Sequence, residues 1–167
     1  MLLQDLLYQV ALRSVHGSTR IEITDVQIDS RAVSNGSCFV AIRGSQIDGH
    51  AFIEAAIANG AVAIVCEHLP ERLHEKVVYV ETAHAAEAAG IISHRYYDEP
   101  SLAVKLVGVT GTNGKTTTTH LIEHILNFSG KKAGLIGTLG ARIPGANGAS
   151  QYLDVHHTTP QASDLQA

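Results

Sequence analysis

The stretch VGVTGTNGKTTTTHLIEHIL, residues 107–126, holds two sets of side chains that could do chemistry. Gly111, Thr112, Asn113, Gly114, Lys115, Thr116 and Thr117 follow an apolar run and open a segment of helical spacing. Glycines let backbone N–H groups close around an anion, and a helix N-terminus adds unpaired donors and a positive dipole. In that setting Lys115 reaches the β and γ phosphates of a nucleotide, and the Thr116 hydroxyl is a Mg²⁺ ligand. The strict phosphate-loop pattern, G-x-x-x-x-G-K-[ST], would place its first glycine at position 109, where this chain has Val109, so the loop is a variant. Gly108, Gly111 and Gly114 do not make a dinucleotide fingerprint, and no acidic residue closes the next strand to hold a ribose.

The second set is HLIEH, which matches the H-x-x-E-H pattern of zinc peptidases. His120 and His124 lie four apart and share a helix face. Leu121, Ile122, Ile125 and Leu126 supply an apolar stripe on the same helix, which leaves His120, Glu123, His124 and Asn127 as its solvated side. The spacing therefore predicts a polar helix face in place of a metal site.

The elements that must position these residues read as α/β. Residues 2–13 have helical apolar spacing, strands are expected over 21–28, 38–42, 61–67 and 77–81, and helices over 50–59 and 82–97. Asp48 is a helix cap and Gly60 a helix stop in this reading, and Pro100 breaks the chain after the second long helix. The pattern then restarts: a strand at 104–110, the glycine turn, a helix at 115–128, a strand within 131–140 and a loop, ARIPGANGAS. Strand, turn, helix and strand make a βαβ unit with a parallel pair. Thr159-Pro160 reads as another helix start. The expected organisation is a small α/β domain over 1–100 and the start of a parallel-sheet, phosphate-loop ATPase domain over 101–167. A doubly wound sheet needs about five strands, so the second region reads as incomplete and the chain as part of a longer protein.

Composition narrows the function classes. The chain has 167 residues, 45% of them apolar, enough for a packed core. A formal charge of −4, no basic cluster, few aromatics and no Trp argue against nucleic acid as a partner. Cys38 and Cys66 each sit in an apolar run and read as buried thiols of a reducing compartment. MLLQDLLYQV lacks a basic leader, and no apolar run is long enough to span a bilayer, so a cytoplasmic protein without a membrane partner is expected.

In the first region, Asp29-Ser30-Arg31 follows a strand, and Gly44 to His50 forms a second polar loop that ends at a helix start. Two such loops at strand ends could hold a polar, phosphate-bearing ligand. Asp29 pairing with Arg31, and Asp48 acting as a cap alone, explains the same residues without a ligand.

Taken together the motifs are more specific. D-S-R-x-V-x-x-G-x-x-F-x-A-x-x-G-x-x-x-D-G-H-x-F spans Asp29 to Phe52, V-T-G-T-N-G-K-T-T-T spans Val109 to Thr118, and T-T-P spans Thr158 to Pro160. In this order and spacing they resemble the Mur ligases, most of all the branch that adds a diamino acid to UDP-N-acetylmuramoyl dipeptide. Folylpolyglutamate synthases share the G-T-N-G-K loop but lack the first motif, and the MurF-type branch usually departs from T-N-G. The resemblance covers essentially the whole chain and about the first third of such a ligase. It implies an ATP- and Mg²⁺-dependent amide ligase of peptidoglycan precursor synthesis, working as a monomer, that joins meso-diaminopimelate or L-lysine to the D-glutamate of the dipeptide through an acyl phosphate. It implies that Gly111 to Thr117 cradle ATP, with Lys115 and Thr116 as the catalytic pair and Thr116 holding the metal. Ile28, Ser30, Ser45, Gln46 and Ile47 match uridine-nucleotide contacts, and His157, Thr158 and Thr159 match contacts near the muramyl peptide. The remaining metal ligands, a carbamylated lysine and the domain that selects the amino acid would lie beyond Ala167. This chain alone is not expected to catalyse ligation. A module that only binds a uridine nucleotide is the competing expectation.

Overall fold

A computed structural model describes residues 1–44, 47–145 and 150–153. They divide into two compact units, one over Met1–Val104 and a second beginning at Lys105.

The first unit is a five-stranded sheet covered on both faces. Its strands are β1 (Leu12–His16), β2 (Asp25–Gln27), β3 (Ser37–Val40), β4 (Ala63–Cys66) and β5 (Val78–Thr82), in the order β1-β5-β4-β3-β2. β2, β3, β4 and β5 are parallel, and β1 joins β5 antiparallel at the edge. Every residue of β3 and β4 is buried, which is why AVAIVC and CFVA carry no polar alternation: a parallel sheet is sealed on both sides. Val26, Cys38, Val40, Ala63, Val65 and Val80 face α1 (Leu3–Leu6) and α3 (Ala85–Tyr96). Phe39, Ile64 and Tyr79 face the opposite side, where α2 (Ile53–Ala58) packs. Complete burial of such side chains contributes about 1.5–3 kcal/mol each, and this supplies the platform on which the loops stand.

Asp48 caps as the sequence implies. Its carboxylate accepts from the His50 N–H at 3.0 Å and opens a 3-10 turn, Gly49–Phe52, that leads into α2. Gly60 ends that helix at φ +110°. Pro100 opens a 3-10 turn, Pro100–Ala103, after α3.

The N-terminal segment departs from expectation. The helix predicted over 2–13 is one turn long. Leu3, Leu6, Leu7 and Val10 do face the core, but Gln9 takes φ +69° and ends the helical run. Arg95 of α3 holds this bend: its Nε donates to the Tyr8 carbonyl at 3.2 Å, and its guanidinium lies 4.6 Å from the Tyr8 ring centroid. Residues 12–16 then gain a ladder with β5, which a continued helix would forfeit.

The second unit contains α4 (Lys115–Phe128) and an antiparallel sheet of β6 (Leu135–Gly137), β7 (Gly140–Pro144) and β8 (Ser150–Leu153). Two expectations are corrected here. Residues 104–110 form no strand: Leu106 and Val107 are exposed, and no described residue offers this run the ladder that a parallel strand needs. The expected parallel βαβ pair is therefore not formed. ARIP is a strand where a loop is expected, because Thr138-Leu139 makes a two-residue turn between Gly137 and Gly140, with Gly140 at φ +100°. The helix start at Thr159-Pro160 lies outside the described residues. Among the described residues no helix is long and apolar enough to cross a membrane.

Candidate functional site

Open parallel sheets present ligand-binding loops at the carboxyl ends of their strands. In the first unit Ile28 to Arg31 follow β2, and Gly44 and Ile47 to His50 follow the adjacent β3, so the described residues of both segments lie past the carboxyl ends of neighbouring strands. Ile28 is half-buried against the core, Ser30 is buried, and Ile47 is exposed at 64%. The Ser30 carbonyl accepts from Asn59 Nδ2 at 2.8 Å, which ties the first loop to the end of α2. Asp29 and Arg31 form a forked, exposed ion pair, Nη2 to Oδ2 at 2.6 Å. The Arg31 side chain, then its backbone N–H, hold the Asp29 carboxyl below its usual pKa. Ser45 and Gln46 lie outside the described residues, as do His157, Thr158 and Thr159.

Sequence reasoning missed the residue that ties this edge together. His50 Nδ1 donates to Asp48 Oδ1 at 2.6 Å, while its Nε2 accepts from the Glu67 backbone N–H at 2.9 Å. The proton is therefore on Nδ1. Glu67 Oε1 in turn accepts from the Ala85 N–H at the start of α3. The Asp48 carboxyl is held below its usual pKa by the backbone N–H of His50, then by its ring. The D-G-H triplet was a visible signal; its partners on the loop after β4 were not.

In the second unit the glycine loop has the backbone its sequence calls for. Gly111 sits at φ +150° and Gly114 at φ +76°, where glycine is favoured. A Cβ at Gly114 would meet nothing within 4 Å, so the space beside it is open. α4 starts at Lys115, and its first bond runs from the Thr118 N–H to the Gly114 carbonyl at 2.9 Å. The amides of Lys115, Thr116 and Thr117 therefore precede the intrahelical ladder, like the leading donors of any helix. Lys115 folds back over the loop, and its Nζ donates to the carbonyls of Gly111 and Thr112. Thr112, Asn113, Lys115, Thr116 and Thr117 are all exposed.

Thr116 offers one neutral hydroxyl, 3.4 Å from that of Thr138. Among the described residues no three His, Cys, Asp or Glu side chains converge as a metal cage. So sparse a donor set fits Mg²⁺, which keeps several waters and takes its other ligands from substrate phosphates. It does not fit Zn²⁺. HLIEH also differs from its expected role. Glu123 is only 4% exposed and is not on a solvated face. Arg142 of β7 grips it through both ends of its guanidinium, with Nε donating to Oε1 at 2.9 Å. His120 Nδ1 donates to the Thr116 carbonyl at 2.9 Å. The residues left outward are partly the apolar ones, Leu121, Ile125 and Phe128.

A parallel α/β sheet, followed in sequence by a lysine-bearing glycine loop on a helix start, defines a mixed α/β protein. The comparisons narrow this. The family model for the Mur ligase family, catalytic domain, matches residues 22–97, and that for the Mur ligase middle domain matches residues 109–167. The chain belongs to the Mur ligases. It is 43% identical to the UDP-N-acetylmuramoyl-L-alanyl-D-glutamate--2,6-diaminopimelate ligase of Cytophaga hutchinsonii and 44% identical to that of Bacteroides thetaiotaomicron, with 99% of this chain and 33% of each relative covered. Among solved structures it is similar to a UDP-N-acetylmuramoyl-L-alanyl-D-glutamate--2,6-diaminopimelate ligase at TM-score 0.72 and 26% identity, over 99% of this chain and 32% of that one. The chain spans about a third of the length of the curated relatives it matches.

Proposed function

We propose that this chain is the nucleotide-sugar and phosphate-loop portion of an ATP-dependent cytoplasmic ligase. That ligase adds a diamino acid to UDP-N-acetylmuramoyl-L-alanyl-D-glutamate in peptidoglycan precursor synthesis. The observation that carries the reading is the identity of 43–44% along 99% of the chain to ligases named for this substrate and for 2,6-diaminopimelate. Diaminopimelate is accordingly the amino acid favoured over lysine.

The division of labour follows the two units. The first domain, about residues 1–100, holds the uridine nucleotide, with Ile28, Ser30, Ser45, Gln46 and Ile47 assigned as its contacts. Residues 101–167 open the ATP domain, where Gly111 to Thr117 take the phosphates, and His157, Thr158 and Thr159 are the contacts assigned to the muramyl peptide. The loop amides and Lys115 bear on the phosphates, where charge spreads as the terminal phosphoryl group moves to the D-glutamate carboxylate. The acyl phosphate is then open to the amine, and collapse of the tetrahedral intermediate gives amide and phosphate. Thr116 would hold Mg²⁺, which when bound offsets the negative charge between the β and γ phosphates. Lys115 already spans the loop, so it needs only to exchange two carbonyl contacts for phosphate oxygens.

Calorimetric titration of the chain tests this in two arms, one with the uridine-linked muramyl dipeptide and one with ATP and Mg²⁺. Heat in both is expected, with the ATP arm lost in Lys115→Ala and the sugar arm kept. A folded chain silent to both ligands contradicts the reading.

A further inference from the structure

The hairpin beside the phosphate loop is built to do more than cover α4. Thr116 and Glu123 are seven residues apart on α4, hence on one face and about 10 Å apart along the axis. The β6–β7 hairpin meets that face at both points. At one end Arg142 closes on the buried Glu123, with Leu135 and Ala141 buried beside it. At the other end the turn Thr138-Leu139 brings the Thr138 hydroxyl to 3.4 Å from that of Thr116. The ion pair fixes where the turn sits, and the turn carries a single polar side chain.

We propose that Thr138 is a positioning residue for the cation that accompanies the nucleotide, acting through Thr116. This rests on the reading of Gly111 to Thr117 as a phosphate loop. A threonine on a helix splits between two rotamers, and its hydroxyl both donates and accepts. A cation needs its lone pairs, so the proton must go elsewhere. A helical threonine hydroxyl usually turns to a carbonyl three or four residues back, and that of Thr112 already accepts from Lys115 Nζ at 3.4 Å. The contact that the Thr116 hydroxyl makes is with the Thr138 oxygen. At 3.4 Å the two hydroxyls stand beyond the usual hydroxyl–hydroxyl bond of about 2.5–3.0 Å, close enough to form one after a small turn of either side chain. A cation on the Thr116 oxygen makes its O–H a stronger donor, and such bonds shorten. Thr138 thereby selects the rotamer that keeps the Thr116 lone pairs turned to the metal.

The experiment measures ATP affinity of the full chain with Mg²⁺ and with EDTA, and Mn²⁺ occupancy in the presence of ATP by electron spin resonance. The variants are Thr138→Val, Thr138→Ser and Lys115→Ala. Thr138 is exposed, so its isosteric loss of a hydroxyl leaves the fold intact. Thr138→Val is expected to reduce the gain in affinity from the metal by about tenfold, the low end for loss of an outer-shell partner. Affinity in EDTA stays within about twofold. Thr138→Ser restores the gain. Equal metal dependence in Thr138→Val and wild type, with Lys115→Ala impaired, overturns this inference alone, as does an equal loss with and without metal. A wild-type chain that takes no ATP, or Lys115→Ala binding like wild type, overturns the phosphate-loop reading and this inference with it.

Discussion

Replacing Arg142 by Met should loosen the second unit. Glu123 is 4% exposed and Arg142 28%, so the pair is closed to water on the helix side and reached by it on the other. Removing one partner of a buried ion pair costs about 3–5 kcal/mol, because a carboxylate is left without its counter-charge. Partial access of water to Arg142 brings this toward about 2–3 kcal/mol. Hydrogen exchange of the backbone amides of β6 and β7 reads the effect directly, since these open locally. Two kcal/mol corresponds to roughly thirtyfold faster exchange. The double variant Glu123→Leu/Arg142→Met removes both charges and should return exchange to within about fivefold of wild type, because an apolar pair of similar volume replaces a buried ion pair at little cost. Exchange in Arg142→Met within a factor of about two of wild type would mean that the ion pair does not hold the hairpin, as would a double variant as loose as the single one.

Other outcomes follow from the first unit. Burial pushes the Cys38 thiol up to about 12, and burial then the nearby Glu81 push Cys66 up to about 11, from an ordinary value of 9.0. Above pH 9 the unfolded thiols lose protons that the folded ones keep, so stability falls as pH rises toward 11–12. Cys38→Ala should flatten that alkaline limb in urea titrations, and iodoacetamide at pH 8 should label neither thiol until the protein unfolds. Gly60→Ala places a Cβ 2.8 Å from Asn35 Cα at φ +110°, and a loss of about 2 kcal/mol or more is expected in thermal melts. His50→Ala deletes the acceptor of the Glu67 N–H and the donor to Asp48, which should cost about 1–2 kcal/mol and raise proteolysis within residues 41–50.

Much of this was legible in the chain because local rules and packing agreed. CFVA and AIVC read as buried strands, and the parallel sheet buries every side chain of β3 and β4. Asp48 and Gly60 marked the ends of a helical segment, and the glycine loop with α4 falls where the spacing put it. The misreadings share one cause, contacts distant in sequence. Leu2 to Arg13 has helical periodicity, yet Arg95 holds a turn after its first helical turn, and β5 draws Leu12 and Arg13 into a strand. HLIEH reads as a solvated face until Arg142, 19 residues from Glu123, takes the carboxylate. Thr138 has no motif of its own; only the register of Gly137 with Gly140 brings it to Thr116.

The most direct test of the account is the reaction itself, in a protein of full ligase length that begins with this sequence. Mass spectrometry should detect the diaminopimelate amide of UDP-N-acetylmuramoyl-L-alanyl-D-glutamate, formed with one phosphate released from ATP per amide. Lys115→Ala should form none. Amide formation undiminished in Lys115→Ala, or phosphate released at the full rate without the muramyl dipeptide, would contradict the account.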